Sequence, residues 1–167
     1  MHTCLCTDKA RESRAVVVEG DRPMANALDV VKYITEKYGE VSAMKLHKLA
    51  YYCQAWHMVW FERELFPENF EAWANGPVIR SVYAVHRKQF LVSPVTFPSG
   101  DSGRITDSEK VAIERVLGFY GDKTAQWLSN LTHQEAPWRG AREGLQPGES
   151  SERIIDKGSM HEYYSSL

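Results

Sequence analysis

The hydrophobic pattern is strongest between residues 44 and 61, a stretch that contains neither Gly nor Pro. Its large apolar residues recur at steps of three and four positions, as on one face of an α-helix: Leu46, Leu49, Cys53, Trp56 and Trp60. Other apolar residues occupy most of the remaining circumference, and such a helix is usually covered by its neighbours. Lys45, Lys48 and Tyr52 form a polar stripe, which predicts one solvent-facing edge. We therefore expect a central helix around which the other elements pack.

Signals for helix ends recur along the rest of the chain. Asn26 and Gly39 suit the start and the end of a first helix, and Ser42 suits the N-cap of the central helix. Pro77 favours the first turn of a helix over residues 77–89. A further helix is predicted from Asp107 as N-cap to Gly118 or Gly121, and another from Lys123 to Leu131 with Trp127 facing inward. Thr132 and Glu135 have the spacing of a capping box, which predicts a short helix near Pro137. The last predicted helix runs from Ser151 to about Tyr164.

The stretches between these helices read mostly as loops. Two prolines and two glycines fall within residues 91–106, so this segment is predicted to be a loop. A short strand near residues 92–97 is compatible with its sequence. Residues 62–76 are predicted to lie across the central helix in loop or short extended form. The pattern as a whole predicts a mainly α fold, a single compact multi-helix domain around a central apolar helix that allows one short strand pair.

Composition adds constraints rather than a function. With 167 residues, 43% hydrophobic residues and a net charge of −2, the chain is typical of one soluble domain without an overall attraction to nucleic acid or to an anionic membrane. No apolar run reaches the roughly 18–20 residues that span a bilayer. Cys4, Cys6 and Cys53 lack the spacing of a disulfide framework, which favours a reducing, cytoplasmic location.

Residues 1–23 differ from the sequence that follows them. They carry charges of both signs and no lasting helical stripe, so we interpret them as a poorly ordered N-terminal extension to a domain at residues 24–167. Met24 directly precedes the first helix signal, and translation from Met24 is a hypothesis that mass spectrometry of the native protein would test.

Six histidines raise the question of a metal or catalytic site. Cys53 and His57 are four residues apart but have no second local pair, so the pattern favours packing of Cys53 in the core with His57 at its edge. His133 and Glu135 could form an acid–base pair, although a structural role at a helix start is simpler. A metal-dependent hydrolase that uses His57, His133 and Glu135 stays an alternative, while the preferred interpretation assigns no catalytic residue, no metal and no cofactor.

The first two predicted helices are joined by a short turn, as in a helix-turn-helix, where Lys45 and Lys48 would contact phosphate. The second helix is too apolar for a DNA groove and contains no Arg. A DNA-binding regulator of its own operon therefore stays an alternative, and nucleic acid is not the expected partner.

One ordered set of residues runs through most of the chain. It comprises Tyr38-Gly39, residues 45–57 (KLHKLAYYCQAWH), Leu65-Phe66, residues 70–73 (FEAW), residues 76–78 (GPV) and residues 131–138 (LTHQEAPW). Over about residues 25–164 this set resembles the Panacea domain, the SocA-like antitoxin family that includes phage-associated proteins of the GepA type.

The resemblance implies a non-enzymatic cytoplasmic antitoxin that neutralises a toxin encoded by an adjacent gene through direct binding. Members of this family pair with chemically diverse toxins, so the domain does not name its partner. A relative is thought to deliver its toxin to a cytosolic protease, and the resemblance leaves that adaptor role open.

The outer face of the predicted 77–89 helix is the candidate surface for a partner. Its basic and aromatic residues match those that anchor interfaces, and we expect them to be exposed together with a residue of the central helix: Arg80, Tyr83, Arg87, Lys88 and Tyr52. A solvated basic face without a partner is the alternative interpretation.

Overall fold

A computed structural model describes residues 22–167, so the predicted extension, with Cys4 and Cys6, lies almost wholly outside the described residues. Within residues 22–167 the chain forms seven α-helices and two small antiparallel strand pairs, which confirms the mainly α prediction and adds a second strand pair. In chain order the elements are α1 (Ala27–Tyr38), β1 (Val41–Ser42), α2 (Ala43–Phe61), β2 (Glu71–Trp73), β3 (Gly76–Val78), α3 (Arg80–His86), β4 (Leu91–Val92), α4 (Asp107–Tyr120), α5 (Ala125–Gln134), α6 (Ala136–Ala141) and α7 (Lys157–Ser165).

Helix α2 is the central element, as its pattern predicts. Fourteen of its 19 residues are buried, and it packs against α1, α4, α5, α7 and β3. The solvent-facing edge predicted for this helix is wrong, because Lys45 is 9% exposed, Lys48 1% and Tyr52 0%. The end of α4, strand β3 and helix α7 cover this stripe through contacts that are distant in sequence.

The helix ends mostly follow the local signals. Asn26 and Asp29 form a complete capping box at α1, and Gly39 ends this helix with φ +90°. The Ser42 side chain caps α2 as predicted. The N-cap of α4 is Thr106 instead of the predicted Asp107, and this helix ends at Gly121.

The largest departure from the predicted elements is the β2–β3 hairpin. Trp73 pairs with Gly76 across a two-residue turn, so Pro77 lies in β3 and does not open a helix. The following helix begins at Arg80 and ends at His86, six residues shorter than the predicted span of 77–89. On the other edge of β2, Glu71 bridges Ile154. The last helix therefore begins at Lys157, and its predicted start at Ser151 is wrong.

Three further predictions concern the C-terminal third. Pro137 lies in the first turn of α6, which confirms that placement. Thr132 lies inside α5, where its hydroxyl donates to the carbonyl of Ser129, so the predicted capping box with Glu135 is wrong. The Trp127 side chain is 42% exposed instead of facing inward.

The loop after α2 is held across that helix, as predicted. The Gln54 side chain donates to the carbonyl of Phe66 and accepts from the backbone N–H of Leu65, both at 2.7 Å. These two buried hydrogen bonds satisfy a loop backbone that lies in the core, with Leu65, Phe66 and Phe70 fully buried against α2.

Candidate functional site

A pocket of about 540 Å³ opens beside α3, where α2, the β2–β3 hairpin and residues 150–152 meet. Pockets of this volume are typical of sites for small ligands or inserted side chains. We call it the α3 pocket. The residues that line it include His47, Lys48, Trp73, Val78, Arg80, Tyr83, His86, Phe90 and Glu152.

Two buried histidines form one wall of the α3 pocket and tie α3 to α2. Their Nε2 atoms lie 2.7 Å apart, and Nδ1 of His47 accepts the backbone N–H of Ile79 at 3.2 Å. Because Nδ1 of His47 is an acceptor, its Nε2 carries the proton and donates to His86. Burial lowers the pKa of both rings, so the pair is neutral at pH 7.

Arg80 stands at the rim and is held by two carboxylates. Its guanidinium binds both oxygens of the buried Glu71, with two contacts of 2.9 Å, and reaches Glu152 at 2.7 Å. It also lies 5.9 Å from the ring centre of Trp73. Such bidentate pairing fixes the side chain, so Arg80 orders the rim instead of offering a free cation.

Lys48 is the most deeply buried charge-bearing side chain of the α3 pocket, with 1% exposure. Its Nζ has one hydrogen bond, to the carbonyl of Pro77 at 3.4 Å. Burial lowers the pKa of this ammonium to about 7, with no carboxylate among the causes. Gly76, with φ +118°, makes room for it, since a Cβ there would lie 2.5 Å from Cε of Lys48.

The residues that the sequence nominated for a partner surface separate into two groups. Tyr83 is half-buried in the pocket wall, with its ring 4.8 Å from that of Trp73 and 5.4 Å from that of His86. Arg87 and Lys88 are exposed and follow the end of α3.

Large apolar side chains continue this exposed surface. Phe90 is 79% exposed and Leu91 is 50% exposed, directly after Lys88 in the chain. We call this surface the α3 face and define it by Arg80, Tyr83, Arg87, Lys88, Phe90 and Leu91.

The exposure predicted for Tyr52 is wrong. Tyr52 is 0% exposed, and its hydroxyl donates to the Glu135 carboxylate at 2.5 Å. Tyr164 donates to the same carboxylate oxygen at 2.9 Å, which joins α2, α7 and the α5–α6 junction in one buried cluster. Burial raises the pKa of Glu135 although both hydrogen bonds lower it. Tyr52 therefore belongs to the core and leaves the candidate partner surface.

The structure does not bring the three residues of the hydrolase alternative together. Nδ1 of His57 donates to the carbonyl of Arg63, His133 stacks on Trp138 with ring centres 4.0 Å apart, and Glu135 binds tyrosines. Among residues 22–167, no group of three His, Cys, Asp or Glu side chains could hold a metal ion. The free Cys53 is buried, as predicted.

The helix-turn-helix alternative requires phosphate contacts by two lysines of α2, and the structure does not support these contacts. Lys45 and Lys48 are buried, so neither can reach a phosphate in the way that this alternative required. Gln54, the other polar candidate on α2, is committed to the loop backbone.

Sequence reasoning missed the floor of the α3 pocket. The sequence pattern places Lys48 in solvent and Trp73 in a covering loop, and no local pattern predicts that they share a cavity. The one available signal is that Lys48 lies in a helix that is otherwise apolar over most of its surface.

The hydrophobic pattern also does not predict a second surface, which lies where α2 and α4 meet. Trp56 and Trp60 stack with ring centres 5.8 Å apart, Arg115 lies 4.5 Å from the centre of the Trp60 ring, and Phe119 is 61% exposed. We call these four residues the aromatic face.

Comparison with known families decides what kind of domain carries these features. The family described as antitoxin SocA-like, Panacea domain, matches residues 46–139, which is more than half of the chain. The chain belongs to the SocA-like Panacea family. The match includes α2, the β2–β3 hairpin, α3 and α5, and so most of the wall of the α3 pocket.

Neither the curated proteins nor the solved structures gave a significant match to this Panacea domain. In the described part of the chain, no helix is both long enough and apolar enough to cross a membrane.

Proposed function

We propose that this Panacea domain is a cytoplasmic antitoxin that neutralises a cognate toxin, encoded by an adjacent gene, through direct binding and without catalysis. The observation that carries the proposal is the match of residues 46–139 to the SocA-like antitoxin family. Neutralisation would occur by occlusion, since a bound domain of this size can cover the working surface of another small protein.

The α3 face is the surface that we propose for the toxin. Arg87 and Lys88 take part in none of the ion pairs formed among residues 22–167, so both charges are available to a partner. Phe90 places an aromatic ring beside them, 79% exposed. Arg and aromatic side chains are the typical anchors of protein interfaces.

The charge of the α3 face indicates the chemistry of its partner. Two unpaired cations next to exposed apolar side chains complement a toxin surface that combines acidic and apolar residues. A stable interface buries about 1,200–2,000 Å² in total, so the contact would extend from the α3 face over the mouth of the α3 pocket. Arg80 and Tyr83, which form the rim, would then contact the toxin as well.

The first experiment is co-expression with the neighbouring open reading frame. We expect the neighbour to stop growth when expressed alone and to lose this effect when the Panacea domain is present. A neighbour that is harmless alone, or equally toxic in both cases, would refute the antitoxin proposal. Measuring the half-life of the toxin in the same cells separates occlusion, which leaves it unchanged, from delivery to a protease, which shortens it.

The second experiment locates the interface with a matched pair of double variants. Replacing Arg87 by Glu and Phe90 by Asp reverses one charge and removes one aromatic anchor from the α3 face. We expect the Kd for the toxin to rise by about 1,000-fold, because two anchors of this kind commonly contribute about 2 kcal/mol each.

The aromatic face supplies the control for this experiment. Arg115→Glu with Phe119→Asp makes the same chemical changes at two residues of α4, both exposed. We expect this variant to bind the toxin with an unchanged Kd in calorimetric titration. Loss of binding in this variant alone would move the interface to the aromatic face and leave the antitoxin proposal standing.

A further inference from the structure

The floor of the α3 pocket contains a cation, Lys48, that has no counter-ion among the residues that the structure describes. The Lys48 ammonium has three N–H donors and one acceptor, the carbonyl of Pro77 at 3.4 Å, which is at the long limit of a hydrogen bond. None of the ion pairs among residues 22–167 includes Lys48. A buried charge in this state destabilises the fold unless an anion is supplied.

A second donor in the same pocket also lacks an acceptor. The indole Nε1–H of Trp73 is buried and has no hydrogen-bond partner in the described part of the chain. Trp73 and Lys48 both line the α3 pocket. Buried polar groups are almost always satisfied in native proteins, so Lys48, with one long hydrogen bond, and Trp73, with none, both have donors that a ligand in the α3 pocket could use.

The remaining groups around Lys48 do not supply the missing negative charge. Two histidines interact with Lys48, His47 on α2 and His133 on α5; burial lowers the pKa of both rings, and the Lys48 charge lowers it further. The carboxylates of Glu71 and Glu152 are engaged by Arg80 at the rim. Neither histidine is a counter-ion for Lys48, and both of these carboxylates are already paired with Arg80.

The walls of the α3 pocket restrict the body of the ligand. Val78, Tyr83 and Phe90 contribute apolar surface, and Trp73 adds an aromatic ring. A single buried cation matches one negative charge. The expected ligand is a singly charged acid with an apolar part.

We propose that the α3 pocket is a binding site for a carboxylate carried on an aromatic or branched apolar body, with Lys48 as its counter-ion and Trp73 Nε1–H as a second donor. This chemistry is shared by a free aromatic acid and by the last residue of a polypeptide. The site does not depend on the proposed function, because it would bind such an acid whether or not the α3 face contacts a toxin.

The protonation of Lys48 gives this site a signature that a simple apolar cleft lacks. A carboxylate placed beside the ammonium favours its charged form and raises its pKa, which is about 7 in the free protein. At pH 8 most of the free protein carries neutral Lys48, so binding takes up a proton from the buffer. Calorimetry at pH 8 in two buffers of different ionisation enthalpy measures that uptake, which we expect to approach one proton per site.

The test uses the full chain and two pairs of probes. N-acetyl-phenylalanine imitates the last residue of a polypeptide and 3-phenylpropionate imitates a free acid, and the amide of each is its neutral control. We expect each acid to bind at least tenfold more tightly than its amide and to shift the Trp73 indole resonance in NMR spectra. Tighter binding of the N-acetyl acid assigns the site to a polypeptide terminus, and tighter binding of 3-phenylpropionate assigns it to a small acid.

A matched pair of lysine variants completes the test. Lys48→Met should weaken binding of both acids at least tenfold and remove the proton uptake, while Lys45→Met, one helical turn away, should leave both unchanged. Equal affinity for acids and amides, binding without proton uptake, or no binding of any probe would each overturn the proposal. The comparison of acids with amides needs no variant, so it remains decisive if a lysine variant folds poorly.

Discussion

Lys45 and Lys48 are separated by one turn of the same helix and both are buried, but their hydrogen bonding differs. The ammonium of Lys45 donates to the hydroxyl of Tyr38 and to the carbonyl of Gly121, each at 2.6 Å, and lies 4.6 Å from the centre of the Tyr38 ring. Among the described residues, the ammonium of Lys48 has a single hydrogen bond, at 3.4 Å. Burial alone therefore does not distinguish a structural lysine from a lysine that is available to a ligand. The number and length of its hydrogen bonds make that distinction.

Glu135 belongs with Lys45 in this comparison. Its carboxylate is 5% exposed and accepts hydrogen bonds from Tyr52 and Tyr164. Both hydrogen bonds join elements that are distant in sequence, which gives this buried acid a role in holding α7 against α2. Lys45 and Glu135 are satisfied and connect helices, whereas Lys48 and Trp73, which line the α3 pocket, have donors that lack acceptors among the described residues.

The largest expected effect comes from filling the space that Lys48 uses. Gly76→Ala places a Cβ 2.5 Å from Cε of Lys48 and 3.1 Å from the hydroxyl oxygen of Thr132, at a residue with φ +118°. We expect the free energy of unfolding to fall by about 3 kcal/mol, from backbone strain and a forced shift of Lys48. Urea denaturation followed by circular dichroism measures the change.

A control and a rescue sharpen this prediction. Gly140→Ala, at an exposed residue of α6 whose Cβ would meet no atom within 4 Å, should leave stability unchanged or slightly raised. Combining Gly76→Ala with Lys48→Ala should restore part of the loss, because one source of the clash is gone. If the double variant is no more stable than Gly76→Ala, making room for the Lys48 side chain is not the reason for a glycine at residue 76.

The second prediction concerns the satisfied lysine. Lys45→Met removes two short hydrogen bonds and leaves the Gly121 carbonyl, at the end of α4, without its partner. We expect a loss of about 2 kcal/mol in the free energy of unfolding, measured by the same urea titration. A loss below about 0.5 kcal/mol would place Lys45 in the same class as Lys48 and remove the contrast between them.

The fold was largely predictable because its strongest signals are local. The spacing of Leu46, Leu49 and Cys53 identifies the central helix, and Asn26 and Ser42 act as N-caps where the sequence places them. The same local logic fails where a distant segment decides the outcome. Pro77 has the signal of a helix start, but pairing of Trp73 with Gly76 draws it into a strand.

The candidate site was harder to predict than the fold, and the reason is physical. Lys45, Lys48 and Tyr52 are spaced like a solvent-facing stripe, yet each is covered by a segment at least 25 residues away in sequence. The spacing of residues within one helix does not predict that a distant segment will bury them. Arg87 and Lys88 were predicted to be exposed and are, because no later segment returns over them.

The smallest expected effect is on the unsatisfied lysine, and its sign is opposite to that of Lys45. Lys48→Met removes a poorly compensated buried charge, so we expect the variant to be more stable than the wild type by about 1 kcal/mol at pH 6.5. The pKa of Lys48 is lowered to about 7 in the folded protein from 10.5. Between pH 7 and about 10 the unfolded chain therefore binds more protons at this residue, and the stability of the wild type contributed by Lys48 rises with pH.

The advantage of the Met variant should accordingly shrink as the pH rises from 7 to 9. Burial also raises the pKa of Cys53 and Tyr51, which lowers stability at the alkaline end, but this contribution is common to both proteins and cancels in their difference. His47 and His133 have lowered pKa values and titrate below this range. Parallel stability curves for wild type and variant from pH 6.5 to 9 would mean that burial does not disfavour the Lys48 charge. The two lysines of α2 would then differ in geometry and not in energy, and the case for a ligand at Lys48 would lose its thermodynamic support.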